Sequence, residues 1–199
     1  MLWHVMSIYA QHNFTDFIIA GGYLISKISD WLDGAGLPWN IQLIDTGATT
    51  QTGGRLKRLE RFLSDQFSVT YGDAVADVDI PKLIKHHNQH QSYCTVTLVH
   101  RPPRFGEVTI SGDYVAQWSE KIPSGWINGG FFVVEPEALE FVYGDEGWEY
   151  GACQRMSERL LMSNYRHEGY WQCADYKEEF AELNRKWQEG APWISPASA

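Results

Sequence analysis

The chain is short of positive charge. It carries 16 Lys and Arg against 25 Asp and Glu in 199 residues, a net charge of −9. No basic stripe is present to neutralise phosphates, which argues against a nucleic-acid partner. A small anionic ligand stays open, because a local cluster of cations can outweigh the global sign. Cysteine is scarcer still. Cys94, Cys153 and Cys173 are odd in number and widely spaced, which argues against a disulfide framework and against a zinc site. The pattern predicts reduced thiols in a cytoplasmic protein. No apolar run approaches the length of a membrane span. The opening "MLWHVMSIYAQHNF" lacks the cationic stretch of a secretory signal and is interrupted by His4 and Gln11. Low-complexity linkers and internal repeats are also missing, which predicts one domain over residues 1–199.

What is present suits a packed interior. Apolar residues make up 44% and charged residues 21%, ordinary values for a globular chain of a size that can bury a real core. Nine Trp and ten Tyr favour aromatic-lined pockets over disorder. "TDFIIAGGY" reads as a buried strand ending in Gly21-Gly22. "YLISKISDWL" follows, with Ile25, Ile28, Trp31 and Leu32 on one helical face. "NIQLIDTG" is a strand. "TGGRLKRLERFL" is a helix with Leu56, Leu59, Phe62 and Leu63 in register. "FSVTYGD" is a strand, "IPKLIKHHNQH" a helix with Pro81 in its first turn, and "YCTVTLVH" a β-branched strand. This alternation predicts a Rossmann-like α/β fold, a mainly parallel sheet with helices on both faces.

The pattern then changes. "GEVTISGDYVAQWSEK" reads as an inserted β-hairpin turning at Ser111-Gly112-Asp113, and "WINGGFFVVEP" as an apolar strand. A helix is expected from about Glu149 to Met162, with Cys153, Met156, Leu160 and Leu161 on one face. "YRHEGYWQCAD" is expected to be the final strand, closing on Asp175. A last helix groups Tyr176, Phe180, Leu183 and Trp187, and "APWISPASA" is expected to fray.

Four stretches could carry chemistry. In "FSVTYGDAVADVDI" a buried-looking strand stops at Gly72-Asp73, and Asp175 closes another strand far along the chain. If both strand ends face one crevice, the two carboxylates can share a hard cation. Turn preference explains the same acids without a ligand. "TGATTQTGGRLKR" runs small residues into a helix start, where backbone N–H groups and the helix dipole favour an anion. A flexible loop before a solvated basic helix face is the plain alternative. In "SEKIPSGWINGGFF", Lys121 follows a strand and Asn128-Gly129-Gly130 interrupts one, which marks either a close ligand or a bulge. "HHNQH" offers His86 and His90 at metal spacing but no third ligand, so it reads as a solvated helix face.

Taken in order, "LWHVM", "DFIIAGGY", "LIDTGATTQTGGRLKR", "TYGDAVADVDI", "PPRFGEVTI", "EKIPSGWINGGFFV", "GYWQCADY" and "WQEGAPW" resemble the glucose-1-phosphate cytidylyltransferase family of sugar-nucleotide pyrophosphorylases, over residues 2–193. The resemblance implies the nucleotide-diphospho-sugar transferase fold and a Mg²⁺-dependent reaction. In it, CTP and glucose 1-phosphate give CDP-glucose and pyrophosphate. It implies metal-binding by Asp73 and Asp175 and catalytic roles for Asp73 and Lys121. It also implies nucleotide recognition by Thr52, Gly53, Gly54 and Arg55, and sugar-phosphate contacts from Glu120, Lys121, Asn128 and Gly129. Members of the family tend to form homo-oligomers.

Departures from the pattern carry expectations as well. The family opens with a strand and a glycine-rich loop holding an Arg, then a Lys-Pro pair, whereas Met1 here stands where the family enters its first helix. A sheet without that strand is expected to show either a gap in the ladder or a rearranged pairing between "DFIIAGG" and "SVTYGD". Catalysis without that loop is expected to be weak. "TYGDGVAD" reads "TYGDAVAD", the Pro after "EK" is Ile122, and "QPMDT" reads "QCADY". Two competing functions follow from these changes. One is a non-catalytic sugar-phosphate-binding relative. The other is a nucleotide-sugar glycosyltransferase using Asp77-Val78-Asp79 as its metal motif.

Overall fold

The computed structural model describes residues 1–100, 107–119 and 125–194. Its centre is β8 (Trp126–Val134), whose last six residues are all buried. Phe131 and Val133 point into one apolar cluster, while Phe132 and Val134 point into another. Alternation along a single strand thus fills cores on both faces of the sheet. Burying each of the two phenylalanines is worth roughly 1.5–3 kcal/mol.

Three strands share a sheet with β8: β3 (Phe67–Thr70), β5 (Cys94–His100) and β9 (Met162–Arg166), in the order β3-β8-β5-β9. β8 runs antiparallel to β3 and β5, and β9 runs parallel to β5. β3, β5 and β9 therefore point the same way and β8 alone opposes them. On one face lie α1 (Leu2–Ala10), with Tyr9 stacked on Phe131, and α4 (Ile80–Asn88), which buries Ile80, Leu83 and His87. On the other lie the segment around Phe141–Trp148, a π-turn at Glu149–Cys153 and α5 (Gln154–Glu158).

β1 (Asp16–Gly21) and β2 (Asn40–Asp45) form a separate parallel pair. Among the described residues no ladder joins β1 to β3, so of the two outcomes expected from the resemblance the sheet shows the gap. Between them runs α2 (Ile25–Ala35), on which no residue is buried; Trp31 is 37% exposed. Its expected apolar face is therefore only half covered. The hairpin forms as β6 (Glu107–Ser111) and β7 (Tyr114–Ser119).

Two expectations need correction. The helix beginning at Glu149 ends at Glu158, not Met162. Leu160 turns left-handed (φ 58°), its N–H bonds Ser157 O, and Leu161 N–H bonds Met156 O, which closes the helix end. This stop is normally filled by glycine, and Leu160 is 88% exposed here, so neither composition nor burial announces it. Met162 is then free to start β9. The expected final strand from Tyr165 likewise divides. Its first residues end β9, and only β10 (Trp171–Cys173) follows; it pairs with β4 (Ala74–Ala76) outside the main sheet.

Of the tail expected to fray, residues 191–194 are anchored, and 195–199 lie outside the described residues. After α6 (Lys177–Gln188), Ala191 and Trp193 enter the core and the Trp193 indole N–H bonds His4 Nδ1 at 3.3 Å. On α6 itself only Leu183 is buried, while Phe180 and Trp187 stay half exposed.

Candidate active site

The two aspartates meet, but not as two ends of one sheet. Asp73 follows the Gly72 turn after β3, Asp175 follows β10, and the β4–β10 ribbon draws them together. Cys173 pairs with Ala74, and Ala174 N–H continues the ladder to Asp73 O at 2.8 Å. Both carboxylates face an open cleft of about 190 Å³, floored by Asn128, Gly129 and Gly130 and walled by Tyr71 and Trp171. Asp73 opens onto this cleft, yet enough protein surrounds it that desolvation raises its carboxyl above the usual value, and the charge of Asp175 adds to the rise. Two hard oxygen donors that repel each other fit a divalent cation that would relieve the repulsion.

Cys173 and Glu179 stand beside Asp175, close enough to form a cluster with it. Glu179 accepts hydrogen bonds from Asp175 N (2.9 Å) and Tyr176 N (3.2 Å), so it orients the Asp175 backbone and starts α6. Burial, then the charges of Asp175 and Glu179, push the Cys173 thiol up to about 11, which keeps it protonated.

Asn128 stands on a bulge. Between the pairs Val96↔Phe132 and Leu98↔Asn128, β8 spends more residues than β5, and Gly130 turns left-handed (φ 78°). A side chain at Gly129 would strike Val99 and the Thr97 carbonyl, and one at Gly130 would press on the Tyr71 ring. The glycines thus serve the bulge, and the bulge sets the exposed Asn128 at the cleft. Lys121 and Glu120 lie outside the described residues.

The stretch "TGATTQTGGRLKR" is more occupied than expected. α3 (Thr52–Leu59) does start after the small-residue loop, but the N–H groups of its two glycines are taken. Gly53 and Gly54 both donate to Glu146 O (2.9 and 3.2 Å), and Gln51 N donates to Asp145 Oδ1 (2.8 Å). A Cβ on Gly53 would sit 2.8 Å from Glu146 O, and one on Gly54 2.3 Å from Asp145 Oδ1. These buried glycines admit the 145–148 segment. Arg155 holds that segment by bonding Phe141 O and pairing with Glu146. Arg55 reaches back over Gly22 to bond Gly21 O (2.9 Å) and Thr46 Oγ1 (2.6 Å), and Arg58 bonds Thr46 O (2.7 Å). Arg55 and Arg58 therefore gather at the carboxyl ends of β1 and β2, while Lys57 pairs with Glu60.

Sequence reasoning passed over Tyr71, Trp171 and Glu149. Tyr71 adjoins "GD", and strand alternation puts Trp171, Cys173 and Asp175 on one side, a signal that was available. Burial, then the hydrogen bond to Glu149, hold the Tyr71 phenol well above its usual value, so it stays neutral. Asp77 and Asp79 are engaged elsewhere: Asp77 pairs with His167 (2.9 Å), and Asp79 caps α4 through Lys82 N (3.0 Å). A glycosyltransferase metal motif at these two acids is not supported. In the histidine tract, His86 and His90 stack on each other, while His87 is buried between Thr95 and Glu135.

No protein-family model matches the chain. It is 34% identical, over 222 aligned positions, to the glucose-1-phosphate cytidylyltransferase of Salmonella typhi, covering 97% of this chain and 86% of that protein. It is 30% identical to the probable glucose-1-phosphate cytidylyltransferase of Bacillus subtilis, covering 96% and 85%. Its fold is similar to HddC from Yersinia pseudotuberculosis complexed with GMP-PN (TM-score 0.70, 19% identity, 94% of this chain and 84% of that one). It is also similar to the inositol-1-phosphate CTP transferase from T. maritima (TM-score 0.66, 13% identity, 96% and 84%). With the fold shared and identity of 30–34% extending along almost its whole length, the chain belongs to the glucose-1-phosphate cytidylyltransferase family.

Proposed function

We propose that this chain is a cytoplasmic, single-domain enzyme that makes CDP-glucose and pyrophosphate from CTP and glucose 1-phosphate. The observation that carries the reading is the meeting of Asp73 and Asp175 in one cleft with Asn128, on a chain whose curated relatives bear that name. Asp73 and Asp175 would hold Mg²⁺, which when bound neutralises phosphate charge and steadies the nucleotide. The chain's own residues bind and orient. Asn128 and Gly129 receive the sugar, and Lys121, beside Glu120, meets the sugar phosphate as a point charge. Arg55 lies at the carboxyl ends of β1 and β2, the end of a parallel pair where nucleotides are received. Thr52, Gly53 and Gly54 support the nucleotide side by anchoring α3. A phosphate oxygen of glucose 1-phosphate attacks the α-phosphorus of CTP in line; a new P–O bond forms and the bond to pyrophosphate breaks. Such transfer depends on positioning and charge neutralisation, with no covalent nucleophile.

The test is to incubate the protein with CTP, glucose 1-phosphate and Mg²⁺ and to measure CDP-glucose and pyrophosphate in equal amounts. Lys121→Met is expected to weaken glucose 1-phosphate binding far more than CTP binding. Absence of product, with no binding of either substrate, sinks the reading.

A further inference from the structure

One chain of hydrogen bonds links the start of α3 to the cleft. It starts at the backbone N–H of Trp148, which donates to Thr52 Oγ1 at 2.8 Å. The Thr52 hydroxyl donates to Glu149 Oε2 at 3.2 Å. The other oxygen of that carboxylate accepts the Tyr71 hydroxyl. Tyr71 Oη lies 3.5 Å from Asn128 Nδ2, and Asn128 Oδ1 accepts Gly130 N–H at 2.8 Å. Thr52 opens α3, Tyr71 walls the cleft, and Asn128 stands on its floor.

The direction of every proton in this chain is fixed. Tyr71 has a single hydroxyl proton and donates it to Glu149. Tyr71 can then only accept from Asn128, which places the amide nitrogen, not the oxygen, on the tyrosine side. The Gly130 N–H can only donate, which places the amide oxygen on the glycine side. Asn128 is thereby held by both ends, with one N–H left over. Glu149 also opens a π-turn, a local form found disproportionately at functional positions.

We propose that Glu149 and Tyr71 are positioning residues: through them Asn128 presents a hydrogen-bond donor to a sugar hydroxyl, and that setting is tied to the start of α3. The proposal rests on the sugar-nucleotide reading of the cleft. Tyr71 transmits the orientation to the sugar side alone. Glu149 serves both sides, because its second oxygen holds Thr52. The relay gives the cleft a preference for a ligand acceptor at this point, and it couples occupancy of the sugar side to the nucleotide side through one carboxylate.

Two arms test it. In the kinetic arm, Tyr71→Phe is expected to raise KM for glucose 1-phosphate about five- to tenfold, the worth of one neutral hydrogen bond. KM for CTP and kcat should stay within about twofold on the same reckoning. Glu149→Ala should raise KM for both substrates, and Glu149→Gln, which keeps an acceptor for Tyr71, should recover most of the sugar-side loss. Equal rises for both substrates in Tyr71→Phe, or no rise at all, overturn the proposal. The second arm needs no activity: the side-chain amide resonances of Asn128, assigned by its loss in Asn128→Asp, should shift in both Tyr71→Phe and Glu149→Ala in the unliganded protein. Unmoved resonances overturn the relay even in an active enzyme. A wild-type chain that makes no CDP-glucose, yet shows those shifts, refutes the proposed function and leaves the relay standing.

Discussion

The indole N–H of Trp171 donates to the carbonyl oxygen of Gly129 at 2.8 Å. It is the direct hydrogen bond between the ribbon that carries the two aspartates and the bulge that carries Asn128. Trp171→Phe keeps the ring but leaves the Gly129 carbonyl without that partner. An orphaned, buried carbonyl costs roughly 1–3 kcal/mol. The variant should therefore unfold at lower denaturant concentration with an unchanged slope. If the bond also sets the spacing between aspartates and sugar, KM for glucose 1-phosphate rises together with the loss of stability.

Asp73 gives two pH dependences of opposite sign. Its folded pKa is raised by burial first and by Asp175 second, from an ordinary value of 3.8. For the unliganded protein, the stability associated with this group is fully present below 3.8 and is lost as pH rises through the higher folded value. Asp73→Asn should remove that decline and make the unliganded protein slightly more stable at neutral pH. Divalent-cation binding needs the ionised form, so it should strengthen over the same interval and vanish in both Asp73→Asn and Asp175→Asn. Calorimetric titration with Mn²⁺ at several pH values, beside denaturant melts without metal, separates the two effects. Cation binding by Asp73→Asn as tight as wild type would remove Asp73 from the site.

Leu160 holds a left-handed conformation in which its exposed side chain gains little. That backbone state costs a non-glycine residue roughly 1–2 kcal/mol, against about 0.5–1 kcal/mol of extra chain entropy for glycine. Leu160→Gly should thus stabilise the protein by about 0.5–1 kcal/mol while leaving turnover unchanged. A melting temperature that falls would show that Leu160 has apolar contacts outweighing the strain.

What the sequence disclosed and what it hid divide along sequence distance. Apolar runs placed β1, β2, β3, β5 and β8 within about three residues, because each carries apolar side chains that are buried or half-buried. The acids at 73 and 175 announced themselves by ending apolar runs. The ribbon that joins them was illegible, since β4 and β10 are three residues each and owe their existence to each other. The stop at Leu160 was hidden because the signal residue, glycine, is not there. The interruption between β1 and β3 was expected only from the family resemblance, since nothing in the periodicity of either strand names its neighbours. Glu149 sat inside what looked like a plain helix, and only the fold brings it to Tyr71 and Thr52.

The start of α3 shows how a local pattern can name the element while the fold adds a contact the pattern does not announce. "QTGGR" looks like a loop that presents N–H groups to a phosphate. In the fold, the N–H groups of Gly53 and Gly54 converge on Glu146 O, and Asp145 takes the N–H of Gln51. Contact with that segment by itself requires the glycines. Gly53→Ala would drive a methyl group to 2.8 Å from a backbone oxygen that already accepts two hydrogen bonds and cannot retreat without losing both. Gly54→Ala meets a closer atom, at 2.3 Å, but that atom is the tip of the Asp145 side chain, which can rotate away. Gly53→Ala should therefore destabilise the protein by about 1–3 kcal/mol, the usual cost of overpacking, and Gly54→Ala by less. Because the segment from 145 to 148 leads directly into Glu149, Gly53→Ala should also weaken binding of both substrates, as loss of Glu149 does. Denaturant melts of the two variants, with binding of CTP measured well below their midpoints, decide the matter. If Gly53→Ala is as stable as the parent yet fails to bind CTP, these N–H groups serve the nucleotide after all, and their bonds to Glu146 must open when it arrives.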